Sequence, residues 1–226
     1  MKKSKYILYG AIAVALITVY IFGGYIMQEP ERLPVYNPID INPELVDSGL
    51  QRVGRNFHTG PFKVINHLGD TVTEETVKNR IRVVNFFFTT CPSICIDMTR
   101  ELRKVQEAFR GDQRIVILSH TVMPEVDSLP VLREYARMNE IDSSIWWLVR
   151  ADQDEIQRLA RKVYFVVKSR EHRGDDDDHS FIHTENVVLV DTKGRLRGFY
   201  DGTDPEDMQR LIRHIHILFK DDTPKY

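Results

Sequence analysis

Cys91 and Cys95 are the two cysteines of this 226-residue chain, four positions apart in Thr89-Thr90-Cys91-Pro92-Ser93-Ile94-Cys95. Residues four apart in the first turn of a helix share a face, so the two sulfurs can close a disulfide or grip one soft metal ion. At a helix start, unpaired N–H groups and the positive dipole end favour thiolate, the form that binds metal and attacks disulfides. So short a loop gains little chain-entropy stabilisation from closure, which makes the pair chemical rather than structural. Spacing alone leaves disulfide exchange and metal binding both open. A third donor would separate them. Cu(I) prefers thiolate and imidazole, and two sulfurs with one nitrogen complete a low-coordinate site, whereas structural zinc usually takes four ligands.

The elements around the pair have a clear order. Ile81 to Phe88 is apolar almost throughout and rich in branched and aromatic residues, the pattern of a central strand covered on both faces. It runs directly into the cysteine turn, after which Met98, Leu102, Val105 and Phe109 fall on one stripe of a helix. Arg114 to Ser119 reads as a second buried strand, Ser128 to Asn139 as a helix with Leu132, Tyr135 and Ala136 inward, and Ile145 to Val149 as a further strand. Asp152 is placed to cap a helix reaching Lys162, with Glu155 in the capping-box position, and Val163 to Val167 reads as a short strand or extended piece. Phe62 to Ile65 opens a hairpin that turns at Asn66 to Asp70; Phe181 to Val190 and Leu196 to Tyr200 form another around Asp191-Thr192-Lys193-Gly194. A last helix starts near Pro205 and runs to about Phe219. The succession predicts an α/β fold with a thioredoxin-like central sheet flanked by helices.

Asn85-Phe86-Phe87-Phe88-Thr89-Thr90-Cys91-Pro92-Ser93-Ile94-Cys95 resembles the Phe-Phe-Thr-x-Cys-Pro-x-x-Cys turn of the Sco/SenC family. His183-Thr184-Glu185-Asn186-Val187-Val188-Leu189-Val190-Asp191, with Gly194, is similar to that family's His-led strand and hairpin, and Val131-Leu132-Arg133-Glu134-Tyr135-Ala136 resembles the stretch between them. The likeness covers Pro61 to Thr203. It implies a thioredoxin-like copper-binding protein that assists assembly of the dinuclear copper (CuA) centre of cytochrome c oxidase, with Cys91, Cys95 and His183 as copper ligands and Cys91 and Cys95 as a redox-active pair. The implied partners are the copper-accepting subunit II of the oxidase, a thiol reductant and another copper carrier, and the implied role is that of a metallochaperone more than an enzyme. Two departures stand out: Ser93 and Ile96 replace an acidic residue and a proline common in the family, and Ser119-His120-Thr121-Val122 stands where Ser-Val-Asp-Pro is usual.

His183 lies eight residues before Asp191, an even number of steps along a strand and the spacing of the family pattern. His179 is the rival, because Asp178-His179-Ser180 mimics the Asp-His-Ser that often carries the family's ligand. His120 is placed at the same sheet edge as the cysteines, either an ordinary edge histidine or a supplementary ligand. His58, His67, His172, His214 and His216 read as solvent-facing or partly packed. The run Asp175 to Asp178 is first a solvated loop, and second a border that draws cations or a basic partner surface to the site. The rival function is a metal-free thiol-disulfide oxidoreductase or peroxidase on the same fold. Against it, the motif is Cys-x-x-x-Cys rather than Cys-x-x-Cys, and no proline lies between Pro130 and Pro205 to supply a cis-proline facing the pair. A non-catalytic interaction module is the remaining alternative.

These side chains belong outside the cytoplasm. Tyr6 to Met27 is 22 residues without a charge, roughly 33 Å of helix against a bilayer core of ~30 Å. Lys2, Lys3 and Lys5 precede it with no acid among them, which places the N-terminus in the cytoplasm. The reading is a single-pass protein of a bacterial cytoplasmic membrane: stub and transmembrane anchor over 1–27, a proline-containing lead-in over 28–60, and one domain over 61–226. Without those three lysines the formal net charge falls from −2 to about −5, which excludes the basic face that nucleic acid requires.

Overall fold

The computed structural model describes residues 16–18, 32–167 and 185–221. The chain divides into two units, Met1–Arg32 and Leu33–Tyr226. In the first, residues 16–18 are helical, and the rest of the apolar span over 6–27 lies outside the described residues. Among the described residues no helix is long and apolar enough to cross a membrane.

In the second unit, Lys63–Asn66 (β1) and Thr71–Thr73 (β2) alternate exposed and buried side chains, as a strand pair with one covered face must. Ile81–Phe87 (β3) and Ile115–Thr121 (β4) are buried along their whole length, and the burial is possible because both sheet faces are covered. Trp146–Arg150 (β5) joins them, and Asn186–Val190 (β6) and Leu196–Asp201 (β7) complete one sheet in the order β2-β1-β5-β4-β3-β6-β7. β3, β4 and β5 run parallel, flanked by antiparallel β1 and β6. This is a mixed α/β sheet of the thioredoxin-like class that the succession of elements predicts.

Ile94–Ala108 (α1), Leu129–Met138 (α2) and Pro205–Asp221 (α4) cover one face. Met98, Leu102 and Val105 of α1, Leu132 of α2 and Leu211 and Ile215 of α4 pack there on Val83, Ile117 and Leu189. Gln153–Arg158 (α3), capped by Asp152 through a 2.8 Å bond from Glu155 N–H, runs into a π-helical turn over Leu159–Val163 and covers the other face. Helix period therefore continues to Val163, and Tyr164, Phe165 (φ 52°) and Val166 follow it as buried irregular chain rather than the short strand or extended piece read there. Tyr164 N–H bonds the carbonyl of Leu159, so the backbone is satisfied by the preceding turn and not by a sheet neighbour. The lead-in is packed as well: it forms 3-10 turns at Pro38–Asp40 and Pro43–Leu45 and buries Leu33 and Val46.

The β6–β7 hairpin is tied by charge. Asp191, 1 % exposed, accepts from Arg195 Nε at 2.8 Å and Arg197 Nη1 at 2.9 Å. Arg197 also donates to the carbonyls of Pro34 and Leu33 at 2.9 and 2.8 Å, fastening the lead-in to the hairpin. Gly194 closes the turn at φ 78°, and a Cβ there would stand 3.1 Å from Arg82 Nη2. Burial works to raise the Asp191 carboxyl, but the hydrogen bonds from Arg195 and Arg197 outweigh it and hold the group below the usual carboxylate range. Its folded value is thus depressed, so its contribution is present above about pH 4 and disappears as pH falls through the folded value. Asp191→Ala is expected to cost about 3 kcal/mol at pH 7, because it takes from buried Arg197 its 2.9 Å partner and leaves it the Asp221 carboxylate at 3.8 Å. Urea unfolding at pH 7 and again in acid checks this: the gap between variant and wild type should narrow in acid.

Candidate metal centre

β3 ends at Phe87 and the chain turns through Thr89 and Thr90 to Cys91, with α1 beginning at Ile94. Cys91 N–H bonds the carbonyl of Phe88 at 3.3 Å, which folds the turn back over the strand end. Both cysteines are free and buried, Cys91 7 % and Cys95 3 % exposed. α1 has no side-chain cap at Ser93. The Cys91 sulfur takes that place, accepting from the N–H groups of Ser93 and Cys95, the Ser93 hydroxyl and the Cys95 thiol. Burial pushes the Cys91 thiol up, yet these donors together bring it below its ordinary value. Cys95 goes the other way, pushed up to about 12 by burial first and then by its hydrogen bond to Cys91. The two thiols therefore shift in opposite directions, Cys91 down and Cys95 up.

Access follows the same asymmetry. A groove of about 680 Å³ lies beside Cys91, with Ile96 of α1 and Val131, Tyr135 and Met138 of α2 in its walls. Iodoacetamide at neutral pH is therefore expected to alkylate Cys91 of the reduced protein at least about tenfold faster than Cys95. Peptide mapping by mass spectrometry reads the order, and faster labelling of Cys95 would contradict the arrangement.

The turn is held from behind, chiefly by Asp127, which sequence reading did not single out. Asp127, in the loop after β4, accepts from the Thr89 hydroxyl at 2.5 Å and from Thr89 N–H at 3.3 Å, and also from the hydroxyl of Thr121 at the end of β4. Tyr135 OH meets Thr99 Oγ1 at 2.9 Å and joins α2 to α1. Asp127 is 36 residues from Cys91, and the parallel pairing of β3 with β4, Phe87 opposite Thr121, is what brings them together. A lone Asp before a helix reads in sequence as an ordinary cap, so nothing local marks it.

The histidines separate by place. His120 is not at the cysteine site: it is fully buried on the opposite face of the sheet, stacked on Phe86 with ring centroids 5.1 Å apart and 5.9 Å from Tyr164. Neither ring nitrogen has a hydrogen-bond partner among the described residues, and burial lowers its pKa to about 3, so it is a neutral core residue. The alternation of side chains along β4 turned it away from the metal side. His67 is buried, not solvent-facing, with Nε2 2.9 Å from Ser143 Oγ and Nδ1 accepting from Leu148 N–H at 3.2 Å. Burial lowers its pKa too. His58 is exposed, His214 Nδ1 is 2.7 Å from Tyr200 OH, and the exposed His216 packs on Phe109. His172, His179, His183 and Asp175 to Asp178 lie outside the described residues.

Topology nevertheless bears on what precedes β6. That strand runs antiparallel to β3 with Val188 opposite Val84, so the same register puts Asn186 across from Phe86. β6 therefore starts at the sheet edge where β3 gives way to the cysteine turn, and Glu185 is fixed there by Gly202 N–H, 2.7 Å from its carbonyl. Among the described residues no group of three or more His, Cys, Asp or Glu could hold a metal ion. Two adjacent sulfurs fit a soft, low-coordinate ion and give it two of its donors.

A family model described as SCO1/SenC matches residues 51–219. The SCO1 protein homolog of Bacillus subtilis is 30 % identical over 71 % of this chain and 82 % of its own. BsSco, a member of the Sco family of cytochrome c oxidase assembly proteins in which a disulfide switch was identified, superposes with a TM-score of 0.59 at 26 % identity, over 71 % of this chain and 92 % of its own. Bradyrhizobium japonicum ScoI, solved with copper bound, has the same fold at a TM-score of 0.54 and 24 % identity, over 69 % and 98 %. With three quarters of its length matched by the family model and the thioredoxin-like sheet in place, the chain belongs to the SCO1/SenC family.

Proposed function

We propose that this protein binds copper between Cys91, Cys95 and His183 and serves the assembly of the CuA centre of cytochrome c oxidase, as a membrane-anchored carrier. The observation that carries the reading is the pair of free, adjacent sulfurs at the strand-to-helix turn of a Sco-family fold. Cys91 is the entry donor, since it is the sulfur that lines the groove and the one more readily ionised. Cys95 gives up its proton as the metal enters, because a cation replaces the proton that burial otherwise retains. The start of β6 beside the cysteine turn supports His183 as the third donor. The copper-bound ScoI structure and the description of BsSco as an oxidase assembly protein support copper as the cargo. The acceptor would be subunit II of the oxidase, with another carrier and a thiol reductant upstream. The uncharged span over 6–27 would anchor the domain over 61–226 outside a bacterial cytoplasmic membrane.

A second use of the same thiols is supported by their placement: two free sulfurs in one turn, Cys91 open to the groove and the more easily ionised, Cys95 pushed up behind it, suit disulfide exchange. Anaerobic copper titration of the reduced protein separates the readings. One copper per chain, with charge-transfer absorption from sulfur, is expected; no binding would leave thiol exchange alone.

A further inference from the structure

Behind the cysteine turn lies a carboxylate with no counter-charge among the described residues. Asp127 is fully buried and forms no ion pair with any described residue. Oδ1 accepts from the Thr89 hydroxyl, and Oδ2 from Thr89 N–H and the Thr121 hydroxyl. The Thr121 oxygen itself accepts Met123 N–H at 3.1 Å, which leaves its proton for Asp127. Among the described residues three donors and no acceptor meet the group, so each bond it makes is one that a carboxylate oxygen accepts. A neutral amide could make nearly the same bonds, so the buried charge is an added cost that bonding alone does not require.

The group stands close behind the site: Thr89, which it holds at both N–H and hydroxyl, is two residues before Cys91. A fixed negative charge in a low-dielectric interior opposes any further negative charge nearby. Copper between two thiolates changes charge by one unit in the step Cu(II) + e⁻ → Cu(I), the electron coming from an external one-electron donor. No bond to sulfur need break.

We propose that Asp127 is a positioning residue for the charge state of the copper site, its buried carboxylate favouring Cu(II) over Cu(I) at Cys91 and Cys95. This rests on the copper reading above. The carboxylate acts through space on the two sulfurs and their cargo, and its clamp on Thr89 and Thr121 fixes the distance at which it acts.

The test uses full-length protein purified in detergent. Cu(I) affinity is measured anaerobically against a chromophoric Cu(I) chelator, Cu(II) affinity against an amino-acid chelator, and their ratio gives the midpoint potential. Asp127→Asn keeps the shape: with the amide nitrogen in the Oδ1 place the Thr89 hydroxyl can turn to accept from it, while the amide oxygen still accepts Thr89 N–H and the Thr121 hydroxyl. Its ratio of Cu(I) to Cu(II) affinity is expected to rise about tenfold, or about 59 mV for a one-electron couple. A purely structural role would weaken both affinities together and leave the ratio in place. An unchanged or lowered ratio with copper still bound overturns the inference and leaves the copper reading standing, whereas a wild-type protein that binds no copper removes both. Should the Asn variant fail to fold, Thr121→Val decides: the carboxylate keeps its charge and loses a donor, so the ratio moves about threefold toward Cu(II). No shift, or a shift toward Cu(I), overturns the proposal.

Discussion

Cys91→Ser and Cys95→Ser are each expected to abolish tight copper binding, weakening it by about a thousandfold or more, on the order of 4 kcal/mol, while the fold survives. A serine oxygen is a hard donor that stays protonated at neutral pH, and Cu(I) selects soft thiolate over it. The fold survives because the exchange is close to isosteric and each new hydroxyl inherits polar partners. In Cys95→Ser the hydroxyl donates toward the Cys91 sulfur, and in Cys91→Ser it accepts the N–H groups of Ser93 and Cys95. The two variants should differ in degree. Loss of Cys91 also removes the sulfur that stands at the start of α1, so Cys91→Ser is the more damaging to the rate of copper entry. Titration with stoichiometry, alongside thermal melts by circular dichroism, reads both effects. Wild-type stoichiometry in both variants would sink the site assignment.

The second large effect falls on the imidazole. His183→Ala is expected to weaken copper binding by about a hundredfold or more and to change the absorption of the Cu(II) form, because one of three protein donors is replaced by water. His179→Ala should leave affinity within about threefold. Both variants should still form the Cys91–Cys95 disulfide and exchange it with a small dithiol, since the sulfurs keep their own hydrogen bonds. The pattern matters more than either value. Damage at 179 with none at 183 would mean that the register counted back from Asp191 does not extend to the ligand, and undiminished affinity in both variants would remove the three-ligand site while leaving the thiols as the protein's chemistry.

The succession of strands and helices, the helix stripes and the cysteine turn were legible because each rests on a local pattern. Seven consecutive apolar-leaning residues from Ile81 and the stripe Met98, Leu102, Val105 have one good solution each, a covered strand and a helix face. The hairpin around Asp191 was legible from its turn residues. What escaped the sequence depends on pairings between distant segments. Asp127 reaches Thr89 through the β3–β4 register, and the side of the sheet on which His120 lies is fixed by alternation counted from a strand end that reading placed two residues short, at Ser119 instead of Thr121. The stretch from Tyr164 to Val166 misled for a different reason. Branched and aromatic residues suit a strand, but here they fill the space under α3 and the π-helical turn, where burial and not sheet pairing determines their conformation.

The lead-in also changes how the molecule meets its own copies. β7 is an outer strand of the sheet, and its row of unpaired backbone groups is a template for another chain. Tyr36 closes part of that row with an N–H bond to the Leu196 carbonyl at 2.9 Å, its ring set edge-on against Phe199, and Arg197 keeps the covering strip in place through the Leu33 and Pro34 carbonyls. A fragment cut at Pro61 would strip this guard, uncover apolar surface where Val46 had been, and offer β7 to self-association. One beginning before Leu33 keeps the guard on, so the lead-in works as a built-in safeguard against edge-to-edge aggregation wherever copies of the chain are crowded together.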